Sequence, residues 1–137
     1  MTIIKINTIG DTPFQQLLGF NQQVQEQWSS LGETLEKDGF LSATLKEQVR
    51  RILAQENGCQ YCKAKGKPDP LLYDEKTAIC TGFAQAFLKT KGHTPLNVTL
   101  VLKKYLSDEE ISELLAFISF TTASQYFGAL MQLLPTN

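Results

Sequence analysis

Histidine and tryptophan occur once each in the 137 residues, as His93 and Trp28, and cysteine three times, as Cys59, Cys62 and Cys80. With one imidazole there is no histidine pair, and with three thiols no second Cys-x-x-Cys, so the usual ligand sets of zinc modules are missing. Charge of one sign is also lacking: 13 Lys and Arg face 14 Asp and Glu, for a formal net charge of −1. No basic field runs along the chain, and nucleic acid is not an expected partner. Apolar runs are short and interrupted, which excludes an expected membrane span. The opening Met1 to Asn7 has no signal-peptide apolar core, and no repeat or low-complexity tract stands out. The expectation is a soluble, cytoplasmic protein of one domain over residues 1–137, large enough for an ordinary core without staples.

What the chain does have is the stretch from Gln55 to Pro68, with Cys59 and Cys62 in a Cys-x-x-Cys around Tyr61. Asn57-Gly58 ends the preceding helical pattern, and a helix starting behind it holds both thiols in its first turn. Unpaired backbone N–H groups and the positive end of the helix dipole point there, and both favour thiolate over thiol. Lys63, Lys65 and Lys67 add positive charge.

The flanking pattern reads as all-α. Residues 1–11 alternate weakly, as an extended arm would. Thr12-Pro13-Phe14-Gln15 reads as a helix start with a capping box closed by Gln15, and one apolar stripe runs through Phe14, Leu17, Leu18, Val24, Trp28, Leu31 and Leu35. Gly32 is a candidate break and Asp38-Gly39 the end. Trp28 is expected in the core. Ser42 or Thr44 caps the next helix, which buries Leu45, Val49, Ile52 and Leu53 and carries Glu47, Arg50 and Arg51 off that face. Asp74 caps a helix to about Lys89, with Ala78, Ile79, Phe83, Ala86 and Phe87 as its apolar face. Asn97 to Leu106 is ambiguous in period and is assigned helix because its neighbours are helical. Ser107 to Glu110 is a capping box for a last helix to about Leu134, apolar on more than one face and in need of cover on more than one side.

Three readings of the cysteine pair are open. A zinc site would have to draw on Cys59, Cys62, Cys80 and His93, although Cys80 falls within a long helix. The pair could be inert. A redox-active dithiol fits best, because a helix N-terminus with nearby lysines activates thiols.

The run from Leu41 to Cys62, with its Glu47 and its Asn57-Gly58-Cys59-Gln60-Tyr61-Cys62, resembles the carboxymuconolactone decarboxylase and alkylhydroperoxidase AhpD-like family. The start of the last helix, Ser107 to Ile111, is similar too, and the likeness covers roughly residues 24 to 127. The resemblance implies an AhpD-like all-α fold, a helix hairpin carrying the Cys-x-x-Cys, and assembly into a homotrimer or homohexamer. It also implies thiol-dependent peroxidase or disulfide-reductase chemistry, with a thiol or dithiol electron donor and no cofactor or metal. Its candidate catalytic residues here are Cys59, Cys62, Glu47 and Tyr61. The family histidine should stand four residues after the second cysteine, where this chain has Gly66. Glu47 is expected to come back alongside residues 65–68 and to meet Gly66, so the proton relay lacks its middle member. Either the thiols cycle with help from lysines and the helix dipole, or the chain is a degenerate scaffold with a redox-sensing or binding role.

Overall fold

The computed structural model describes residues 1–135 and is helical, with no strand among the described residues. Seven α-helices follow in order: α1 Pro13–Leu18, α2 Gln22–Glu36, α3 Ala43–Glu56, α4 Gln60–Lys63, α5 Glu75–Lys89, α6 Leu96–Val101 and α7 Asp108–Leu130. Single 3₁₀ turns cover Pro70–Leu72 and Leu102–Lys104.

The core is built around α3, which packs against α5 and α7. Leu45, Val49 and Leu53 stand at i, i+4 and i+8 and meet Cys80, Phe83 and Ala84 of α5 and Leu114, Phe117 and Ile118 of α7. Burying each of the larger side chains is worth about 1.5–3 kcal/mol. Val98, Leu102 and Leu106 have the same spacing, with Leu102 and Leu106 buried and Val98 packed against them. The ambiguous stretch from Asn97 is thus helix followed by a 3₁₀ turn, and Leu100 is exposed.

The caps fall where side chains can answer free N–H groups. Ser42 accepts from Leu45 N at 3.1 Å, Asp74 from Thr77 N at 2.7 Å, and Ser107 and Glu110 form a full capping box. Asp74 is held below the usual carboxylate range, chiefly by its hydrogen bonds to Thr77.

Several expectations change. The first long helix is two: α1 ends before Gly19, and Asn21 caps α2 by accepting from Val24 N at 3.2 Å. The reset rotates the stripe, so Val24 and Leu31 are exposed and Gln25 is buried. Gly32 lies inside α2 and breaks nothing. Thr12 caps α1, but the Gln15 side chain accepts from Asp11 N, not Thr12 N. Residues 1–12 run as bends folded back on the protein, with Ile3 N bonded to Met131 O and Asn7 N to Gln16 O, instead of an extended arm. On α5, Ala78 is exposed while Thr77, Cys80, Thr81 and Ala84 are buried beside Phe83. Finally, α7 stops at Leu130, where Gln132 turns left-handed at φ 54° and Leu133 N bonds back to Gly128 O.

Helices α2, α3 and α4 together cover much of α7. Its exposed strip is Ser112, Ala116, Ser119, Ala123, Tyr126 and Leu130.

Candidate functional site: a dithiol beside a cavity

α3 ends at Asn57, and Gly58 turns the chain at φ 82°, a left-handed conformation that glycine adopts without strain. Cys59 then becomes the N-cap of α4, and its Sγ accepts from Cys62 N at 3.2 Å. Cys59 and Cys62 are disulfide-bonded, with Cα atoms 5.2 Å apart. An all-helical chain with a disulfide at this spacing is compatible with redox chemistry.

The two sulfurs are not equivalent. Cys59 is 1% exposed, packed with Ala54 and lying under α7. The approach is close enough that a Cβ on Gly128 would stand 2.5 Å from Cys59 Sγ. Cys62 lines a cavity of about 260 Å³ between α1, α2, α4 and α7. Its apolar wall is Phe14, Trp28, Leu35, Phe117 and Phe120; Gln15, Ser29, Thr121, Ser124 and Gln125 supply polar groups. Trp28 is half-buried on that wall, not enclosed in the core. Its Nε1 donates to Ser124 Oγ at 3.0 Å, and its ring lies 5.5 Å from Phe120 and 6.1 Å from Phe127.

Charge collects at one end. Arg50 donates to the Cys62 carbonyl at 3.0 Å and forks onto the Glu47 carboxylate. Arg51 also approaches Glu47, with Nε 3.5 Å from the carboxylate, and donates to Lys67 O at 3.1 Å. Lys65 Nζ stands over the Tyr61 ring, 4.9 Å from its centroid. Although the residue is exposed, partial desolvation of its ammonium first, and then the nearby Arg50 charge, lower its pKa, against the pull of Glu36 and Glu47. A second cavity, lined by Glu36, Lys46, Glu47, Arg50, Lys65 and Phe117, adjoins the first through the residues they share.

The expected encounter of Glu47 with Gly66 does not occur. The Arg51 guanidinium occupies the space beside Gly66, and both arginines hold the carboxylate of Glu47. Gly66 has φ 132°, which L side chains rarely adopt. The group standing between Glu47 and the second cysteine is therefore Arg50, a fixed cation that does not give up its proton at neutral pH. Tyr61 is half-buried and packs on the dithiol cluster.

The remaining candidates lie elsewhere. Cys80 is a free, fully buried thiol in the core, its pKa pushed up to about 12, mainly by burial. His93 is exposed in the loop after α5. Among the described residues no group of three or more His, Cys, Asp or Glu side chains is placed to hold a metal ion, so Cys59, Cys62, Cys80 and His93 do not form a ligand set. No helix among the described residues is long and apolar enough to cross a membrane.

Several supporting residues carried no clear sequence signal. Asn57 donates to Gln125 at 2.8 Å, and Gln125 donates to the Arg50 carbonyl at 3.3 Å, joining the turn before Cys59 to α3 and α7. Gln48 accepts from Asp69 N at 2.7 Å and ties down the segment after α4. Gly128 could have been found: an interior glycine in an apolar helix signals a close approach. In comparisons with known proteins, no family model matches the chain and no curated protein sequence is significantly similar to it.

Proposed function

We propose that the protein is an AhpD-like thiol–disulfide oxidoreductase and weak alkylhydroperoxidase, in which Cys62 meets the substrate and Cys59 resolves. The observation that carries this reading is that Cys62 lines an aromatic-walled cavity while Cys59 is buried behind it. In the reduced protein a Cys62 thiolate attacks an oxidant from the cavity. The Cys59 thiolate, held at the N-terminus of α4, then attacks Cys62 Sγ and closes the disulfide. A thiol or dithiol donor returns the pair to the reduced state. Arg50 and the start of α4 supply the positive field that a relay histidine would otherwise help to set. Self-association, as a homotrimer or homohexamer, belongs to the same reading. It is supported by the exposed strip along α7, where small residues permit close helix packing.

The competing reading is a redox sensor or degenerate scaffold. Capture of Glu47 by Arg50 and Arg51 favours it, since no general base is then left at that carboxylate. Turnover separates the two. The reduced protein is mixed with cumene hydroperoxide, and loss of peroxide is followed with dithiothreitol as donor. Catalytic turnover that disappears in Cys62→Ser supports the enzyme. A single stoichiometric oxidation without turnover supports the sensor. Sedimentation as a clean monomer at micromolar concentration would count against the oligomer.

A further inference from the structure

We propose that Lys65 is the general acid of this site, giving its proton to the alkoxide that leaves when Cys62 attacks an organic hydroperoxide. The assignment rests on the dithiol reading above. Three observations lead to it. Lys65 lines the same cavity as Cys62, and it is also part of the wall of the adjoining charged cavity. It therefore touches the cavity that Cys62 lines and, being exposed, can regain a proton from solvent. Lys63 and Lys67 line neither cavity. Among the described residues Lys65 forms no ion pair, and its ammonium rests on the Tyr61 ring, free to turn toward a ligand.

The other charged groups at the site are unsuited. Arg50 is engaged by Glu47 and the Cys62 carbonyl and holds its proton throughout the working range. Glu47 is the arginines' partner, Lys46 is bonded to the Lys37 carbonyl and paired with Glu113, and Glu33 and Glu36 are acidic side chains on α2. Sharing these two cavities with Lys65 are Glu33 and Glu36 from α2, Lys46, Glu47 and Arg50 from α3, and Tyr61 and Cys62 from α4. Lys65 is an exposed residue whose ammonium is partly desolvated; that desolvation and then Arg50 lower its pKa, which makes it a stronger acid than a fully solvated lysine.

The step balances without another co-reactant. A lone pair of the Cys62 thiolate forms an S–O bond to the hydroperoxide's terminal oxygen. The O–O bond breaks, its electron pair leaves on the alkoxide, and the alkoxide takes the Lys65 proton to become an alcohol. Cys62 is left as a sulfenic acid and Lys65 as a neutral amine, which regains a proton from solvent. The Cys59 thiolate next attacks Cys62 Sγ, forming the disulfide and releasing hydroxide, which water protonates.

Lys65→Arg provides the test, because it keeps the charge and removes the transferable proton. Reduced wild type and variant are each reacted with cumene hydroperoxide and, separately, with iodoacetamide, whose iodide leaves without a proton. Alkylation of Cys62 should be nearly unchanged in the variant. Oxidation by cumene hydroperoxide should slow by about 10²-fold, the lower range for a positioned acid. In wild type the oxidation rate should fall as pH rises through the lowered Lys65 pKa, and Lys65→Arg should lack that alkaline limb. A variant that oxidises at the wild-type rate, or that loses both reactions in equal measure, overturns the assignment. Wild-type thiols that alkylate yet leave cumene hydroperoxide untouched would sink the peroxidase reading itself, and this role with it.

Discussion

Gly128→Ala tests whether the contact between α7 and Cys59 sets the redox balance of the dithiol. The new methyl carbon would stand 2.5 Å from Cys59 Sγ, 3.5 Å from Cys59 Cβ and 3.7 Å from Cys62 Sγ. In the disulfide, Cys59 Sγ is tied to Cys62 and cannot rotate away; with Cys59 1% exposed, little free space surrounds it. Overpacking of this kind costs about 1–3 kcal/mol. Replacing a helical glycine by alanine returns about 1 kcal/mol in either redox state. In the reduced protein the freed thiol can turn about χ1 and relieve the clash. The oxidised form should therefore be destabilised by about 0–2 kcal/mol, while the reduced form is stabilised by about 1 kcal/mol. The differential of about 1–3 kcal/mol corresponds to a potential raised by roughly 20–65 mV for a two-electron couple. Equilibration in glutathione buffers, followed by alkylation and mass spectrometry, measures the potential; urea unfolding of each form measures the stabilities. An unchanged potential, with both forms shifted equally, would refute the reasoning.

Gly66→His should not build a proton relay. At φ 132° and with Arg51 Cζ 3.3 Å from the new Cβ, it should cost about 1–3 kcal/mol in urea unfolding and leave the rate with cumene hydroperoxide no higher; a faster, equally stable variant would show that Arg51 yields the space. Lys46→Met removes a charge that is 1% exposed, 3.4 Å from Glu113 and bonded to Lys37 O at 2.7 Å. Stripping one partner from a buried pair predicts a loss of about 3 kcal/mol by chemical denaturation, and an unchanged midpoint would count against that pair. Glu110 is held below the usual carboxylate range by Lys76 and the Ser107 backbone. Its stabilisation is thus present above the ordinary glutamate pKa and disappears as pH falls through the lowered one. Glu110→Gln should flatten that acid limb in thermal melts at pH 2 to 6, and an unaltered limb would assign it to other carboxylates.

What the sequence determined by itself is what a few neighbouring residues can decide. The caps at Ser42, Asp74 and Ser107 each answer an N–H three residues on, so the helix starts were legible. The Asn57-Gly58 turn and the thiols in the first turn of α4 are local for the same reason, as is the disulfide between Cys59 and Cys62. The break at Gly19–Asn21 was equally local and was obscured by a continuous apolar stripe.

Tertiary structure decided which of the two cysteines faces a cavity, because Gly128 of α7 packs directly on Cys59 Sγ, while Cys62, itself 8% exposed, lines the cavity. It also decided that Arg50 reaches the Cys62 carbonyl, that Arg51 fills the space at Gly66, and that Lys46 is buried on Glu113, whereas the hold of Arg50 and Arg51 on Glu47 is local, at i+3 and i+4 within α3. A long arginine or lysine side chain can reach several partners from one backbone position, and helical spacing says only which side of the helix it leaves. Which partner it meets depends on the helix packed opposite, and that is a property of the assembled core.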